Sequence, residues 1–241
     1  MRRRFFVDQV RNGHAELSGE EARHLTRVLR VEPGQRYEIS DNRRVYLAEI
    51  ETARKERVVF RTLDALPAEP PPPVRIVLCA SLIKFDRFES MIEKATELGV
   101  SEIVPVESVR CERGLELAAF KRIERWRRIA LEASQQSRRA QLPEIREPLR
   151  LAQALGTAAT CRFALDEFAG AGPLAALLPV ARNATDTVAL LSGPEGGWTE
   201  EERAAFLAAG WTAAGLGRLI LRAETAALAA LAVIGNTWLV N

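Results

Sequence analysis

A proline-rich stretch constrains the fold of this 241-residue chain more than any other sequence feature. Residues 67–73 contain five prolines, and each proline fixes the backbone angle φ and removes a hydrogen-bond donor. Such a segment interrupts helices and central strands and favours a semi-rigid, extended spacer. We therefore expect two domains, at residues 1–68 and 74–241.

The segment before the spacer has the pattern of a small, mostly β, barrel-like domain. Ser18, Gly19, Glu20 and Glu21 match a capping box, which predicts a short helix that ends near Leu29. Four runs rich in Val, Ile, Tyr or Phe predict strands, at residues 5–10, 36–40, 45–52 and 57–63.

The segment after the spacer alternates between strand-like and helix-like patterns. Apolar residues at a spacing of three to four predict a helix over residues 85–98, which Gly99 ends, and a second, strongly basic helix is expected over 121–139. Such alternation is typical of an α/β domain whose parallel sheet is covered on both faces. The predicted strands are residues 74–80, 102–106, 162–166, 187–192 and 212–216.

Charge and cysteine content exclude some classes of function but do not identify one. The 34 basic and 32 acidic residues give a net charge of +2, but residues 110–150 alone carry eleven Lys or Arg against six Glu. A polyanion should therefore contact the middle of the chain. Three scattered cysteines without a CxxC pair, and a longest apolar run of nine residues, 226–234, predict a cytoplasmic protein that does not contact a membrane.

The first stretch that could carry chemistry is a glycine-rich loop, residues 190–199. An apolar strand leads into three glycines and a proline, and Thr199 with Glu202 forms a capping box for the helix that follows. Open α/β sheets bind ligands at such strand ends. The loop lacks the Gly-Lys-Ser/Thr ending of a phosphate-binding loop, and Glu195 would repel phosphate, so the ligand should be neutral or cationic. A tight turn with a solvated Glu195 remains the alternative.

The second stretch is residues 216–226. Gly215 and Gly217 resemble the start of a dinucleotide fingerprint, but Ile220 interrupts it and only 24 residues remain, which excludes that reading. The apolar residues 219–221 beside glycine and arginine suit an aromatic ring with polar edges. His14 and His24 are the only histidines and have no paired ligand residues, so neither a metal site nor a Ser–His triad is predicted.

Taken in order, residues 94–100, 135–143, 191–198 and 216–226 resemble the ribosomal RNA uracil N3-methyltransferases that modify uracil 1498 of 16S RNA, in the SPOUT superfamily. Residues 3–7 and 24–30 are similar to the PUA-like RNA-binding domain of that family, so the resemblance covers nearly the whole chain. It implies a C-terminal α/β trefoil-knot domain with a parallel sheet and a small N-terminal PUA-like β-barrel.

The resemblance also implies S-adenosylmethionine as methyl donor, held without a metal where three loops converge. A sulfonium cation agrees with the cationic or neutral ligand expected from Glu195. The family commonly has Thr at the position of Ala223 and often a basic residue at that of Leu219, which puts any role for a hydroxyl at 223 in doubt. The expected cofactor-binding residues are Leu165, Glu167, Leu191, Gly193, Pro194, Glu195, Gly197, Leu216, Gly217, Leu219, Ile220, Leu221 and Thr225.

Methylation of uracil N3 requires that its proton leave. Glu195 and Glu224 are the possible bases, and Arg222 is expected to orient the uracil and stabilise the developing anion. The predicted partners are 16S rRNA, within the small ribosomal subunit, and a second copy of the chain in a homodimer. Two alternatives remain open, a SPOUT enzyme that methylates a ribose 2′-hydroxyl and a non-catalytic RNA-binding protein. Phosphate contacts are predicted for Arg3, Arg30, Arg110, Arg113 and Arg138.

Overall fold

A computed structural model describes residues 3–68, 70, 72–167 and 170–239 of the chain. The chain folds into two compact units, of which the first comprises residues 1–70 with 134–142 and the second the remainder. Residues 134–142 were assigned to the 74–241 domain from the sequence, and the structure instead places them with the first unit. Part of the proline-rich stretch, Glu69 and Pro71, lies outside the described residues, so its extended conformation stays a prediction.

The first unit is a five-stranded sheet with one helix. The strand order is β1-β3-β4-β5-β2, in which β1 pairs with β3 in parallel and the other pairs are antiparallel. Its core contains Phe5, Leu25, Ile39 and Phe60, all almost fully buried. The elements are β1 Arg4–Phe6, β2 His14–Ser18, α1 Gly19–Arg27, β3 Arg36–Ser40, β4 Val45–Arg54 and β5 Arg57–Ala65.

For this unit one sequence prediction was wrong in detail, and one strand was missed. Ser18 is the N-cap residue of α1 but makes no side-chain capping hydrogen bond, and Gly19 after it has a left-handed φ of +61°, so the helix does not begin with the regular geometry that a capping box needs. Strand β2 was not predicted. It has only two buried apolar residues, Ala15 and Leu17, which is a weak alternating signal.

Residues 134–142 are tied to the first unit by a network of charged groups. Glu38 accepts hydrogen bonds from Arg4 at 2.9 Å and from Arg138 at 2.6 Å, and Arg4 also donates to the Arg138 carbonyl at 2.7 Å. Burial by itself raises the pKa of Glu38, but the hydrogen bonds from Arg138 and Arg4 outweigh it and hold that pKa below its ordinary value. Glu38 is thus a charged anchor for this segment.

The second unit is built on an eight-stranded sheet in which every strand pair is parallel. Seven strands follow the order β11-β13-β10-β12-β6-β7-β8, and β9 pairs with β7. The elements, some very short, are β6 Arg75–Ser81, α2 Phe85–Glu97, β7 Glu102–Glu107, α3 Leu115–Phe120, α4 Ile123–Gln136, β8 Glu144–Ile145, β9 Leu149–Arg150, α5 Leu151–Ala154, β10 Cys161–Leu165, β11 Gly172–Pro173, α6 Leu174–Leu177, β12 Thr187–Ser192, α7 Glu200–Ala208, β13 Thr212–Gly215 and α8 Ala223–Leu239.

Both faces of this sheet are buried. Successive strand residues point to opposite faces, so Leu190 belongs to one hydrophobic core with Leu78, while Leu191 belongs to the other with Cys79. Continuous apolar strands covered on both sides are what parallel sheets require. The predicted α/β class with a separate N-terminal β unit is therefore confirmed.

Helix boundaries in the second unit agree with the sequence in two places and differ in one. Gly99, at φ +88°, follows the end of α2 as predicted, and Thr199 with Glu202 forms the expected capping box of α7. The predicted helix over 121–139 is α4, which ends at Gln136, because Arg138 has a left-handed φ of +57° that interrupts a helix. No helix among the described residues is long and apolar enough to cross a membrane.

Candidate ligand-binding cavity at the ends of three strands

Three adjacent parallel strands end at the same edge of the sheet. Strand β10 lies between β12 and β13, with Ala164 paired to Leu191 and Leu165 paired to Ala214. The segments that follow these strands line a cavity of about 600 Å³. This is the position at which open α/β sheets bind ligands.

The glycine-rich loop presents its backbone to the cavity because side chains are excluded from it. A Cβ atom on Gly193 would lie 3.0 Å from the indole of Trp198, closer than ordinary contact. Gly197 has a φ of +68° and donates its backbone N–H to the Pro194 carbonyl at 2.9 Å, which closes a tight turn. The loop therefore forms a cradle of main-chain groups along the cavity, and a side chain at Gly193 would collide with Trp198.

Buried polar contacts fix the other wall of the cradle. Trp198 is buried and donates its Nε1–H to the Leu165 carbonyl at 2.9 Å, which joins the loop after β12 to the end of β10. Asp166 accepts two hydrogen bonds from the Arg203 guanidinium, at 2.7 and 3.2 Å. These bonds raise the pKa of Arg203, and its guanidinium balances the negative charge of the Asp166 carboxylate beside the cavity.

The third loop contributes apolar surface. Leu219 and Ile220 line the cavity with 82% and 81% of their surfaces exposed, although residues of this size are commonly buried. Gly217 reaches a φ of +128°, which allows the chain to turn before them. Exposed apolar side chains at the lip of a polar cavity are suited to cover a flat ring.

Three charged side chains lie close together at one corner of the cavity, and two of them, Arg87 and Glu195, line it. Arg87, from the first turn of α2, donates to Glu195 at 2.5 Å and lies 4.0 Å from Glu224 in the first turn of α8. Glu224 is largely buried, and its Oε2 atom has no hydrogen-bond partner among the described residues. Arg222 lines the cavity nearby and is exposed.

The cavity brings together most of the residues predicted to bind a cofactor. Leu191 does not line it, because it points into the core on the opposite face of the sheet. Thr225 and the possible base Glu224 do not line it either, because Ala223 and Ala226 form the cavity-facing side of α8. The predicted residues that do line it are Leu165, Glu167, Gly193, Pro194, Glu195, Gly197, Leu216, Gly217, Leu219, Ile220, Leu221 and Arg222.

The sequence interpretation missed several lining residues. Arg87 lies far from the other segments in the chain, and an arginine in an amphipathic helix carries no local signal of its role. The remaining ones lie within a few residues of predicted positions and could have been found by extending the predicted segments. They are Asp166, Ala171, Ser192, Gly196, Trp198, Ala214, Gly215, Ala223 and Ala226.

Two of the five predicted phosphate-binding arginines are held by other groups. Arg110 donates to the Gly196 carbonyl at 2.8 Å behind the glycine loop, and Arg138 pairs with Glu38 in the first unit. Arg3 and Arg30 are exposed in the first unit, and Arg113 is exposed in the second.

The cavity suits a ligand with a flat ring and a positive charge. It offers backbone groups, an apolar lip and the carboxylates of Glu167 and Glu195. Among the described residues no group of three or more His, Cys, Asp or Glu side chains is placed to hold a metal ion. S-adenosylmethionine, with its adenine and sulfonium, fits this set of groups.

Comparison with known protein families identifies the class. Residues 70–235 match the RNA methyltransferase domain family, and residues 17–63 match the RNA methyltransferase PUA domain. The fold and the cavity are thus those of an RNA methyltransferase.

Individual relatives show which family of RNA methyltransferases the chain resembles. The chain is 31% identical to ribosomal RNA small subunit methyltransferase E of Mycobacterium bovis, over 96% of this chain and 90% of that protein. The crystal structure of the enzyme of that name from Neisseria gonorrhoeae, bound to S-adenosylmethionine, is 30% identical and superposes with a TM-score of 0.87 over 99% and 98% of the two chains. A putative methyltransferase from Legionella pneumophila, in complex with the same cofactor, is 30% identical with a TM-score of 0.90 over 98% of both.

The chain belongs to the ribosomal RNA small subunit methyltransferase E family. The resemblance stated from the sequence, the SPOUT fold class and the PUA-like assignment are confirmed.

Proposed function

We propose that the protein transfers a methyl group from S-adenosylmethionine to N3 of uridine 1498 in 16S rRNA. The observation that supports this proposal is the cavity at the ends of β10, β12 and β13, in a chain that belongs to an rRNA methyltransferase family. Its glycine cradle, apolar lip and carboxylates complement the ring and the charge of the donor. When bound, this cofactor supplies an electrophilic methyl group on a sulfonium.

The donor is held mainly by backbone and apolar groups. Gly193, Gly197 and Gly217 allow close approach of the main chain, and Leu219 with Ile220 covers the ring. Because main-chain groups supply the polar contacts and the Leu219 side chain supplies apolar cover, the departures from the family at Ala223 and Leu219 are compatible with binding.

Proton removal and anion stabilisation fall to charged residues at the cavity. Glu195 lines the cavity and accepts the N3 proton, and Arg222 orients the uracil and stabilises the charge that develops on its oxygens. Glu224, in the first turn of α8, does not line the cavity. We therefore assign the role of base to Glu195 and not to Glu224. Methyl transfer between two bound groups then depends mostly on positioning.

The target uridine is presented by the small ribosomal subunit in the cytoplasm. Arg3, Arg30 and Arg113 are the exposed members of the predicted phosphate-binding set, so we assign phosphate contacts to them. Sequence-specific RNA recognition commonly splays a base from its stack, and the target base must do this to enter the cavity.

The protein acts as a homodimer. Helix α8 is composed almost wholly of Ala, Leu, Val and other small or apolar residues, and Leu239 near its end is 69% exposed. A helix that is apolar around its whole circumference is normally buried, and a second copy would bury the open side. Sedimentation analysis at micromolar concentration should give twice the chain mass of 26.7 kDa, and a monomer would contradict this assignment.

Calorimetric titration with S-adenosylmethionine, followed by transfer of a labelled methyl group, tests the proposed function. Wild-type protein should bind the cofactor and label small subunits, whereas Gly197→Trp should abolish both because its side chain fills the cradle. Cofactor binding without transfer to small subunits or 16S RNA would contradict the proposal. RNA binding without cofactor binding would favour the non-catalytic alternative.

A further inference from the structure

One guanidinium, that of Arg87, lies near two carboxylates at the corner of the cavity. Arg87 Nη1 lies 2.5 Å from Glu195 Oε1, while Arg87 Nε lies 4.0 Å from Glu224 Oε1, beyond hydrogen-bond distance. The three residues come from three segments, α2, the glycine loop and α8. Arg87 therefore joins the glycine loop to the neighbourhood of α8 but bonds only one of its two acidic neighbours.

Arg87 bonds the more exposed of the two carboxylates, which water can also solvate. The Glu195 side chain is 41% exposed, so water can solvate it, whereas that of Glu224 is 15% exposed. The Glu224 Oε2 atom is buried and has no hydrogen-bond partner among the described residues. A largely buried carboxylate with an unsatisfied oxygen is destabilising, and a cation bonded to its other oxygen, Oε1, would stabilise the charge that the two oxygens share.

We propose that Arg87 is a positioning residue that exchanges partners, leaving Glu195 for Glu224 when a positively charged ligand enters the cavity. Glu195 is then released to face the positive charge of the ligand, and the Glu224 carboxylate gains a charged hydrogen bond at its Oε1 atom. This inference rests on the proposed function, because it requires a cationic ligand in this cavity.

The geometry makes the exchange small. A shift of about 1 Å brings Arg87 from 4.0 Å to hydrogen-bond distance from Glu224. The Arg87 side chain is 33% exposed, so it has room to move without a change in the backbone of α2. Glu224 thereby acts on the ligand only through Arg87, which separates its role from that of a direct ligand contact.

Binding of two ligands that differ in charge tests the exchange. S-adenosylmethionine carries a sulfonium, and S-adenosylhomocysteine carries a neutral thioether in its place. We expect Glu195→Gln to lower the preference for the charged ligand by about fivefold, the value of a partly exposed ion pair. Glu224→Gln should lower it in the same direction, because Arg87 then stays on Glu195.

The double variant Arg87→Met/Glu224→Gln gives the sharpest result. With Arg87 absent, Glu195 is unpaired in both backgrounds, so Glu224→Gln should have no further effect on the ratio of the two Kd values. The matched control is Arg125→Met, which removes an Arg–Glu89 pair on the outer side of α2 and should leave the ratio unchanged. Thermal unfolding of each variant verifies that it is folded.

The outcomes separate this inference from the function on which it rests. A wild-type ratio in Glu224→Gln, or an equal effect of that substitution with and without Arg87, would overturn the exchange while cofactor binding stands. Failure of wild-type protein to bind either ligand would overturn the proposed function and the exchange together.

Discussion

Arg110 supports Gly196 from behind the glycine loop. Its guanidinium donates to the Gly196 carbonyl at 2.8 Å, and a Cβ atom on Gly196 would lie 3.1 Å from the Arg110 Cβ. The phosphate contact predicted for this arginine stays a prediction, whereas its hydrogen bond to Gly196 holds the loop in shape.

Arg110→Ala should therefore weaken cofactor binding more than RNA binding. Loss of one charge-assisted hydrogen bond at an exposed position is worth about 1 kcal/mol, or about a fivefold increase in Kd for S-adenosylmethionine. Arg113→Ala, three residues away and exposed, is the matched control and should leave that Kd unchanged. Calorimetry measures the affinity for S-adenosylmethionine, and filter binding measures the affinity for 16S RNA. A larger loss of RNA affinity than of cofactor affinity would show that Arg110 acts in RNA binding instead.

Gly193→Ala should destabilise the fold and weaken cofactor binding. Its methyl group would lie 3.0 Å from the buried Trp198 ring, which cannot move without breaking its hydrogen bond to Leu165. Such overpacking lowers the free energy of unfolding by about 1–3 kcal/mol, measured in urea. Gly215→Ala is the control for stability, since its Cβ would have no neighbour closer than 3.6 Å. Equal unfolding free energies for both variants would refute the steric account.

The Arg203–Asp166 pair should contribute to stability. Asp166 is 3% exposed at its side chain, so Arg203→Met removes two hydrogen bonds from a buried carboxylate and should lower the unfolding free energy by about 2–3 kcal/mol. Glu200→Gln removes an exposed acidic partner of Arg203 and should change the unfolding free energy by less than about 0.5 kcal/mol. Urea unfolding of both variants measures these changes. Similar small decreases in the unfolding free energy would mean that the buried Arg203–Asp166 pair does not stabilise the fold.

Glu38 should make the first unit sensitive to acid. Its pKa is lowered in the folded chain, so its contribution to stability is present above the unfolded-state pKa of about 4.3 and is lost as the pH falls through the lower folded-state pKa. Glu38→Gln should therefore lower the unfolding free energy at pH 7 by about 2 kcal/mol and by progressively less below pH 4. Thermal unfolding across this range measures the difference, and a difference that stays constant with pH would contradict this account.

The main features of the site could be predicted because they are local in the sequence. Three glycines and a proline after an apolar strand predict a backbone cradle wherever the sheet places it, and Thr199 with Glu202 predicts the start of α7. Alternation of strand and helix predicts the parallel sheet, which brings the ends of β10, β12 and β13 together.

The errors come from side-chain direction and from contacts distant in the chain. Leu191 lies next to the loop in sequence, but the two-residue period of a strand points it into the opposite core. Thr225 lies off the helix face that Ala223 and Ala226 share. Arg87 reaches Glu195 across 108 residues, and Arg138 reaches Glu38 across 100, so neither pairing has a local pattern.

The identity of the methylated atom tests the central claim most directly. Small subunits that lack the modification would be incubated with the purified protein and S-adenosylmethionine, and the 16S RNA would then be digested to nucleosides for mass spectrometry. We predict one 3-methyluridine, which fragment analysis maps to position 1498, and its loss in Arg222→Ala. A methyl group on a ribose 2′-oxygen, or no new methylated nucleoside, would contradict the account.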